Sequence, residues 1–334
     1  MLRVSMAPPA GNSSHVSVFS LLWYVDLGVW RLVVFSVVLL SYLLIIGANV
    51  LVLVVIFSQR SLHEPMYVFL SSLLLNELNG SAGLFPFFLV QLLRDVHTVN
   101  ATLCSLQIFC LYLYVNVQFY SFAVMSYDRY LAICWPLHYG AVMRPRVVAL
   151  LVVLSWCLPV AAIVTMTTLS ATLTYCRRAV ERLYCDNYSV VKLSCDNTVV
   201  NNVYGLLYTF IVLFGLTLVI LTCYARILRV CFTSTKRRHK ALSTCTPHLA
   251  SLLNFSLGCF LEIIQSRLDM TAAPLWLRVT LSMYFITFQP LFNPLLFGLN
   301  LTKIRQACRR LLGAGLRGAG PERAGLRGAG PRRS

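Results

Sequence analysis

Seven long apolar segments, separated by short connections, constrain this chain more than any other feature of its sequence. Of its 334 residues, 58% are hydrophobic and only 12% are charged, whereas a soluble protein carries about a quarter charged residues. A helix that crosses a bilayer needs roughly 20 mostly apolar residues. The predicted fold is therefore an all-α membrane protein, a bundle of seven transmembrane helices. The predicted spans are residues 31–57, 66–90, 104–127, 147–170, 203–231, 241–264 and 276–299.

The basic residues indicate how the bundle is oriented. The net charge is +17, and Lys and Arg concentrate in alternate connections, such as the one from Lys236 to Lys240, and after the last span. Because cytoplasmic connections of membrane proteins are enriched in Lys and Arg, we predict a multi-pass plasma-membrane protein with an extracellular N-terminus and a cytoplasmic C-terminus. The same distribution indicates the lipid bilayer rather than nucleic acid as the partner of these charges.

Four regions follow from this pattern. We predict an extracellular N-terminus over residues 1–30, the seven-helix domain over 31–300 and a short amphipathic eighth helix on the membrane surface over 301–312. The tail 313–334 repeats the sequence AGLRGAGP and is predicted to be disordered, since Gly-, Pro- and Arg-rich sequence cannot bury a core. Cys308, in the amphipathic segment, is a candidate for palmitoylation.

A charge pair follows the third apolar segment, in the stretch "MSYDRYLAIC". Cys104 and Arg129 lie 25 residues apart in one predicted helix, which is about 38 Å of helix and slightly more than the roughly 30 Å hydrocarbon core. Cys104 is therefore expected at the outer surface and Arg129 at the inner one. Asp128 can hold Arg129 in an ion pair until a cytoplasmic partner competes, which is the bistable element that a switch requires.

The predicted outer side carries two kinds of modification candidate. Four cysteines lie in an oxidising compartment, where pairing is expected, and four cysteines allow three pairings between which their positions do not choose. They are Cys104, Cys176, Cys185 and Cys195. Three glycosylation sequons lie on the same side, at Asn12, Asn100 and Asn187. The sequence contains no catalytic set of Ser, His and Asp, no phosphate-binding loop and no metal-ligand cluster, so we predict neither an enzyme nor a cofactor.

Five motifs carry a resemblance to a known family. In chain order they are "GAN" (47–49), "LHEPMY" (62–67), "MSYDRYLAIC" (125–134), "KALSTCTPHL" (240–249) and "PLFNPLLFGL" (290–299). Together they resemble the vertebrate odorant receptors, a branch of the rhodopsin-like (class A) G-protein-coupled receptors, and "LLLNEL" is most similar to fish-type members. The resemblance implies a receptor that binds a small-molecule odorant in the outer half of the bundle. It also implies activation of a heterotrimeric G protein of the stimulatory olfactory type, which raises cyclic AMP.

The resemblance also implies roles for individual residues. The disulfides would be Cys104–Cys185 and Cys176–Cys195, which turn the second outer loop into a stapled lid. The switch that meets the G protein would comprise Asp128, Arg129, Tyr130, Tyr224 and Lys240. The polar residues of the bundle core would be Asn49, Glu77 and Asn293.

The sequence departs from the family pattern at three places. Glu77 stands where most members have Asp, which puts the geometry of a sodium or water site in question. Phe297 replaces a Tyr of the seventh-helix motif. Phe255-Ser256-Leu257 replaces the Phe-Tyr-Gly that is common in the sixth helix.

The ligand site is expected between the third, fifth, sixth and seventh helices. The candidate residues, counted along the helices from Arg129 and Lys240, are Leu111, Tyr112, Val115, Asn116, Tyr208, Thr209, Cys259, Phe260, Ile263, Arg267, Met283 and Thr287. Arg267 favours a ligand with a carboxylate, such as an amino acid, although Asp269 could neutralise it. Two interpretations stay open for the charges: Glu262 as a ligand contact or a partner of a neighbouring charge, and Arg267 as a ligand contact or a solvated helix end.

Two other functions are considered. A membrane transporter would contain internal repeats of spans and helices broken at mid-membrane, and the sequence has no such symmetry. A receptor of the same fold acting outside olfactory tissue has the same sequence features, so expression mapping is needed to separate the two.

Overall fold

The structure is a computed structural model. The residues that it describes are 17–24, 28, 30–232, 235–268, 270, 273–301 and 303–310, with the backbone alone described for 231–232, 235–244 and 275. Asn12, Asp269, the side chain of Lys240 and the tail 313–334 lie outside the described residues.

Long helices dominate the chain. In chain order they are α1 (Trp30–Ser58), α2 (Pro65–Leu93), α3 (Ala101–Cys134), α4 (Pro136–Val142), α5 (Pro145–Ala171), α6 (Asn187–Val191), α7 (Val199–Phe210), α8 (Thr217–Phe232), α9 (Thr235–Arg267), α10 (Leu275–Asn300) and α11 (303–310). A π-helical turn, Ile211–Leu216, joins α7 to α8, so that the two form one continuous span.

The described helices reproduce the predicted bundle. Six spans among them are long and apolar enough to cross a membrane, and they correspond to the first six predicted segments. The seventh, α10, is 26 residues long and packs against α9, α1 and α2. The prediction of a seven-helix bundle is confirmed. Helix α9 begins six residues before the predicted span 241–264, because a helix extends past the apolar segment when its end is solvated.

The outward surfaces of the helices are apolar. Leu32 and Leu218 are each 66% exposed and Phe210 is 60% exposed. In water such side chains would be buried, whereas in a bilayer they face lipid tails of the same polarity. The exposed apolar belt is therefore the lipid-facing surface of the bundle.

Helices α2 and α3 approach each other closely because two glycines lie between them. A Cβ atom on Gly80 would lie 2.5 Å from Cδ2 of Tyr114, and a Cβ atom on Gly83 would lie 2.6 Å from Cβ of Cys110. Both distances are shorter than a van der Waals contact, so no larger residue fits there without movement of α3. The approach positions Tyr114 and the polar core described below.

A three-stranded sheet covers the outer end of the bundle and was not predicted. It consists of β1 (Val18–Leu21), β2 (Thr98–Asn100) and β3 (Ala179–Val180) in the order β2-β1-β3. β1 is antiparallel to β2 and parallel to β3. Phe19 is 1% exposed beneath the sheet, in a small outer core that includes Cys104 and Cys185. The N-terminal segment is therefore bound to both outer loops.

Candidate functional site

A cavity of about 160 Å³ lies in the outer half of the bundle between α3, α7, α9 and the second outer loop. Its walls are mostly apolar, as is usual for a site that binds a small molecule. Nine of the twelve predicted ligand residues line it: Leu111, Tyr112, Val115, Asn116, Tyr208, Thr209, Cys259, Ile263 and Arg267. Counting along the helices from Arg129 and Lys240 thus located nine of the eighteen lining residues that lie outside the second outer loop.

Three predicted ligand residues do not line the cavity. Phe260 is 59% exposed on the lipid-facing side of α9, because its neighbour Cys259 takes the inward position and adjacent helical residues are about 100° apart. Met283 packs against the main hydrophobic core. Thr287 is absent from the lining, and its hydroxyl has no hydrogen-bond partner in the described part of the chain.

The second outer loop contributes cavity residues that the sequence did not indicate. Asp186 and Tyr188 both line the cavity. Asp186 caps α6, accepting hydrogen bonds from the backbone and the hydroxyl of Ser189 at 3.0 and 2.7 Å, and Tyr112 donates to it at 2.9 Å. Its position next to Cys185 in the sequence is the one available signal, since the disulfide holds this part of the loop against α3.

Glu262 is the partner of a neighbouring charge, which is one of the two interpretations that the sequence left open for it. It lines the cavity and forms an ion pair with Arg182 of the outer loop. Tyr184 donates a hydrogen bond of 2.7 Å to the same carboxylate. Burial raises the pKa of Tyr184 to about 12, so its hydroxyl keeps its proton and remains a donor at neutral pH.

Arg267 is exposed and also lines the cavity. Its guanidinium carbon lies 3.8 Å from the ring centroid of Tyr188, which is the stacking geometry of a cation on an aromatic face. The solvated helix end and the ligand contact are therefore compatible interpretations for this residue. The outer mouth of the cavity carries a positive charge held in place by the loop.

Two disulfides staple the loop over the cavity. Cys104 pairs with Cys185, with 5.3 Å between the Cα atoms, and Cys176 pairs with Cys195, at 5.6 Å. This is the pairing that the family resemblance implies, of the three that four cysteines allow. The first ties the loop to the outer end of α3, and the second closes the loop on itself.

The two described sequons differ in access. Asn100 is exposed and caps α3 by accepting a hydrogen bond of 2.7 Å from the backbone of Leu103, which leaves its amide nitrogen for a glycan. Asn187 is only 7% exposed, and its side-chain oxygen accepts a hydrogen bond of 2.8 Å from Ser170. A glycan on Asn187 would have to displace this packing, so the structure argues against our prediction of glycosylation there.

Buried polar residues connect α2, α3 and α10 in the middle of the bundle. The carboxylate of Glu77 is fully buried and accepts hydrogen bonds from Tyr114 at 3.0 Å, Gln118 at 2.6 Å and Asn293. Asn49 donates to the backbone oxygen of Pro290 at 2.9 Å. The longer Glu side chain is thus accommodated by three hydrogen-bond donors from neighbouring helices.

Of the two remaining departures, Phe297 is a core residue, whereas Ser256 is half-buried and Leu257 is 51% exposed, beside the shared Phe255. Phe255 is 1% exposed and makes edge contacts with the rings of Phe119 and Phe122, at centroid distances of 5.1 and 5.9 Å. Phe297 is fully buried, with its ring 5.2 Å from that of His248. Both rings fill space between helices, as apolar packing residues do.

Asp128 and Arg129, at the inner end of α3, form an ion pair with each other. Asp128 is fully buried, and Nε of Arg129 donates to it at 2.8 Å. Tyr139 of α4 donates to the other carboxylate oxygen at 2.7 Å. Burial and this hydrogen bond raise the pKa of Tyr139, so the tyrosine remains a donor. The arrangement holds the Arg129 guanidinium against Asp128.

The other predicted switch residues surround this pair. Tyr130 accepts hydrogen bonds from Trp135 at 2.9 Å and from Arg226 at 3.3 Å. Tyr224 is 5% exposed within α8. The side chain of Lys240 lies outside the described residues, so its predicted role stays a prediction.

The last helix, α11, lies against the inner end of the bundle. Lys303 forms an ion pair of 2.7 Å with Glu64, which precedes α2. Cys308 packs partly buried against the main core, and burial raises its pKa. The Cys308 thiol is free and partly exposed, which is compatible with a modified or an unmodified cysteine. Palmitoylation of Cys308 therefore stays a prediction.

The comparisons with known proteins agree with one another. Residues 37–314 match the family model described as olfactory receptor. Human olfactory receptor 7C1 is 31% identical over 313 residues, which cover 90% of this chain and 94% of that protein. Olfactory receptor 1D2 of Pongo pygmaeus is 34% identical over 311 residues, covering 90% and 96%.

The fold comparison adds a solved structure. Squid rhodopsin superposes with a TM-score of 0.69 at 16% identity, covering 91% of this chain and 93% of that chain. This likeness shows the fold, that of a class A receptor, while the family model and the relatives show the family. The chain belongs to the olfactory receptor family, the odorant-binding branch of the G-protein-coupled receptors, and it is a signalling receptor rather than an enzyme.

Proposed function

We propose that this odorant receptor binds a small zwitterion, an amino acid or a close analogue, in the cavity between α3, α7 and α9. The observation that carries the proposal is that one cavity presents a guanidinium and a carboxylate, Arg267 and Asp186, within otherwise mostly apolar walls. Opposite charges at fixed positions select a ligand by the placement of its own charges. The apolar wall would receive the side chain of the ligand.

Arg267 is the proposed partner of the ligand carboxylate. A guanidinium offers a planar fork of donors that matches the two oxygens of a carboxylate. The stacking on Tyr188 fixes the plane of this fork. Glu262 would otherwise repel an anion, but its charge is compensated by Arg182.

Asp186 is the proposed partner of the ligand ammonium. Its carboxylate accepts from Tyr112 through one oxygen and from Ser189 through the other. A carboxylate has about four acceptor positions, so both oxygens retain capacity for an ammonium group. The existing hydrogen bonds hold the carboxylate in place before the ligand arrives.

The volume of the cavity limits the ligand. An apolar cavity of about 150 Å³ in another protein binds benzene, and the cavity here is about 160 Å³. The ligand side chain would therefore be no larger than a single ring. This size favours an individual amino acid over a peptide.

The test is a dose–response series on cells that express the receptor at matched surface levels. An amino acid, its methyl ester and its decarboxylated amine are compared on wild type, Arg267→Ala and Asp186→Asn. We expect Arg267→Ala to lower the potency of the amino acid to that of its methyl ester. We expect Asp186→Asn to lower the potency of both the amino acid and its decarboxylated amine. Each lost charge contact is worth about 1.5–3 kcal/mol, which is on the order of a 10- to 150-fold change in potency.

Arg178→Ala is the control for Arg267→Ala, since Arg178 is an exposed arginine of the second outer loop that does not line the cavity. Equal potency of acid and ester on wild type, or an unchanged response of Arg267→Ala to the acid, would refute the carboxylate assignment. Uptake of radiolabelled ligand without a cyclic AMP response would instead favour a transporter.

We also propose the orientation and the signalling partner. The sheet, both disulfides and the cavity lie at one end of the bundle, and Asp128 and Arg129 at the other. The first end suits an oxidising exterior and the second the cytoplasm, where a stimulatory olfactory G protein would bind. The support is this separation together with the basic connections. An epitope tag at the N-terminus should be stained on intact cells, and a C-terminal tag only after permeabilisation.

A further inference from the structure

A second, smaller polar chamber lies beside the ligand cavity, at its outer end. It measures about 20 Å³ and is bordered by the N-terminal segment, the second outer loop, α9 and α10. Its lining includes Trp23, Arg182, Lys192 and Arg278, and we call it the arginine chamber. Ser266 lines both spaces, so the chamber adjoins the ligand cavity without being part of it.

The chamber contains hydrogen-bond donors that have no acceptor. Arg182 is 2% exposed, and its Nε and Nη1 lack hydrogen-bond partners among the described residues. The same holds for Nε1 of Trp23 and Nε of Arg278, which are also buried atoms. Leaving a buried donor unpaired costs free energy, more so for a charged group. The unpaired acceptor nearest to them, Oε2 of Glu262, belongs to a residue that lines the ligand cavity and not the chamber. The unpaired atoms named within the chamber are all donors, so their missing partner is an acceptor.

The charges of the chamber point to the same occupant. The guanidinium carbons of Arg182 and Arg278 lie 5.2 and 5.1 Å from the ring centroid of Trp23, so two like charges are held against one indole. Among the described residues that line the chamber, the positive charges are those of these two arginines and Lys192, and the negative charge is that of Glu181. Glu262, outside the lining, offsets Arg182 through their ion pair. One positive charge is left over, which a monovalent anion would balance.

We propose that the arginine chamber binds a chloride-sized inorganic anion that stabilises the closed outer lid. A chamber of about 20 Å³ is large enough for one water-sized particle and too small for an organic acid. The bound anion would accept from Trp23, Arg182 and Arg278, and would thereby join the N-terminal segment, the outer loop and α10. A water molecule also fits the space, but it leaves the surplus charge uncompensated.

The experiment uses the full-length receptor in lipid nanodiscs, with its thermal unfolding midpoint as the readout. Chloride is titrated against gluconate at constant ionic strength. We expect the midpoint to rise and saturate with chloride, by about 3 °C at ten times the dissociation constant. The rise should be absent in Arg278→Gln and retained in Arg178→Gln, since Arg178 is an exposed arginine of the second outer loop that does not line the chamber.

A second variant and a second anion test the proposal further. If Arg278→Gln does not fold, Lys192→Gln, at an exposed position on the rim, should need a several-fold higher chloride concentration for the same rise. An equal midpoint in chloride and gluconate for the wild type, or an equal chloride effect in Arg278→Gln and Arg178→Gln, overturns the site. A rise with acetate but not with chloride would show that the chamber takes a carboxylate group, and the assignment to an inorganic anion would fail.

Discussion

Arg182 of the second outer loop and Glu262 of α9 form an ion pair at the top of the ligand cavity. The Arg182 side chain is 2% exposed and the Glu262 side chain 14%. The loop is therefore joined to α9 by a pair of charges that are both largely removed from solvent. A charge that enters the protein interior requires a partner there, so the pair couples the position of the loop to that of α9.

The first prediction is that Glu262→Gln lowers stability markedly. Removing one partner of a buried pair leaves the other charge uncompensated, at a cost of about 3–5 kcal/mol. The measurement is the thermal unfolding midpoint of the purified receptor together with its surface level. Glu64→Gln is the control, since its pair with Lys303 is more than half exposed on both sides and worth about 0–1 kcal/mol. Similar midpoints for the two variants would contradict a structural role for the Arg182 pair.

The second prediction is that Arg129→Ala abolishes ligand-induced cyclic AMP at a detectable surface level. Arg129 forms an ion pair with Asp128, and under the proposed orientation its removal would remove the contact offered to the G protein. Arg146→Ala, at an exposed position where α5 begins, should signal normally. Full signalling by Arg129→Ala at matched surface level would refute the switch.

The third prediction concerns the resting state. Asp128→Asn should raise signalling in the absence of ligand, because the neutral amide holds the Arg129 guanidinium less strongly than a carboxylate does. Tyr139→Phe should raise it less, since it removes one hydrogen bond of 2.7 Å to the same carboxylate but leaves the ion pair. The measurement is basal cyclic AMP per receptor at the surface. A basal level unchanged by Asp128→Asn would show that the pair does not hold the resting state.

The fourth prediction is that Cys104→Ser and Cys185→Ser each prevent surface delivery. The disulfide connects residues 81 apart in the sequence, and removal of such a link typically costs about 2–5 kcal/mol. Cys157→Ser is the control, because Cys157 is exposed and free. Peptide mapping without reduction should recover Cys104 linked to Cys185; a link from Cys104 to Cys176 or Cys195 would disprove the connectivity.

The fifth prediction is that Gly80→Ala and Gly47→Ala have opposite effects. The new methyl group at Gly80 would collide with Tyr114 at 2.5 Å, pushing α3 away and disturbing the hydrogen bond from Tyr114 to Glu77, at a cost of about 1–3 kcal/mol. Gly47 has no atom within 4 Å of an added Cβ, so Ala there should stabilise α1 by up to about 1 kcal/mol. Equal unfolding midpoints for the two variants would contradict the close approach of α2 and α3.

Local patterns in the sequence were enough to locate the helices and the Asp128–Arg129 ion pair. Apolar length predicted the spans, and the spacing from Cys104 to Arg129 placed these residues at opposite ends of α3, since rise per residue is a local property of a helix. The five motifs identified the family. These features depend on neighbours along the chain, which is why they are visible without a structure.

The composition of the site depended on contacts between distant parts of the chain. Cys259 and Phe260 were both expected in the cavity, but the rotation of α9 against its neighbours turns only Cys259 inward, and helical periodicity does not set that rotation. The strands β1, β2 and β3 are two to four residues long, too short to show an alternating pattern. Long-range strand pairing and a disulfide fold the second outer loop inward, which brings Asp186 and Tyr188 to the cavity and Arg182 to the chamber. The burial of Arg182 depends on its ion pair with Glu262, which is 80 positions away in the sequence.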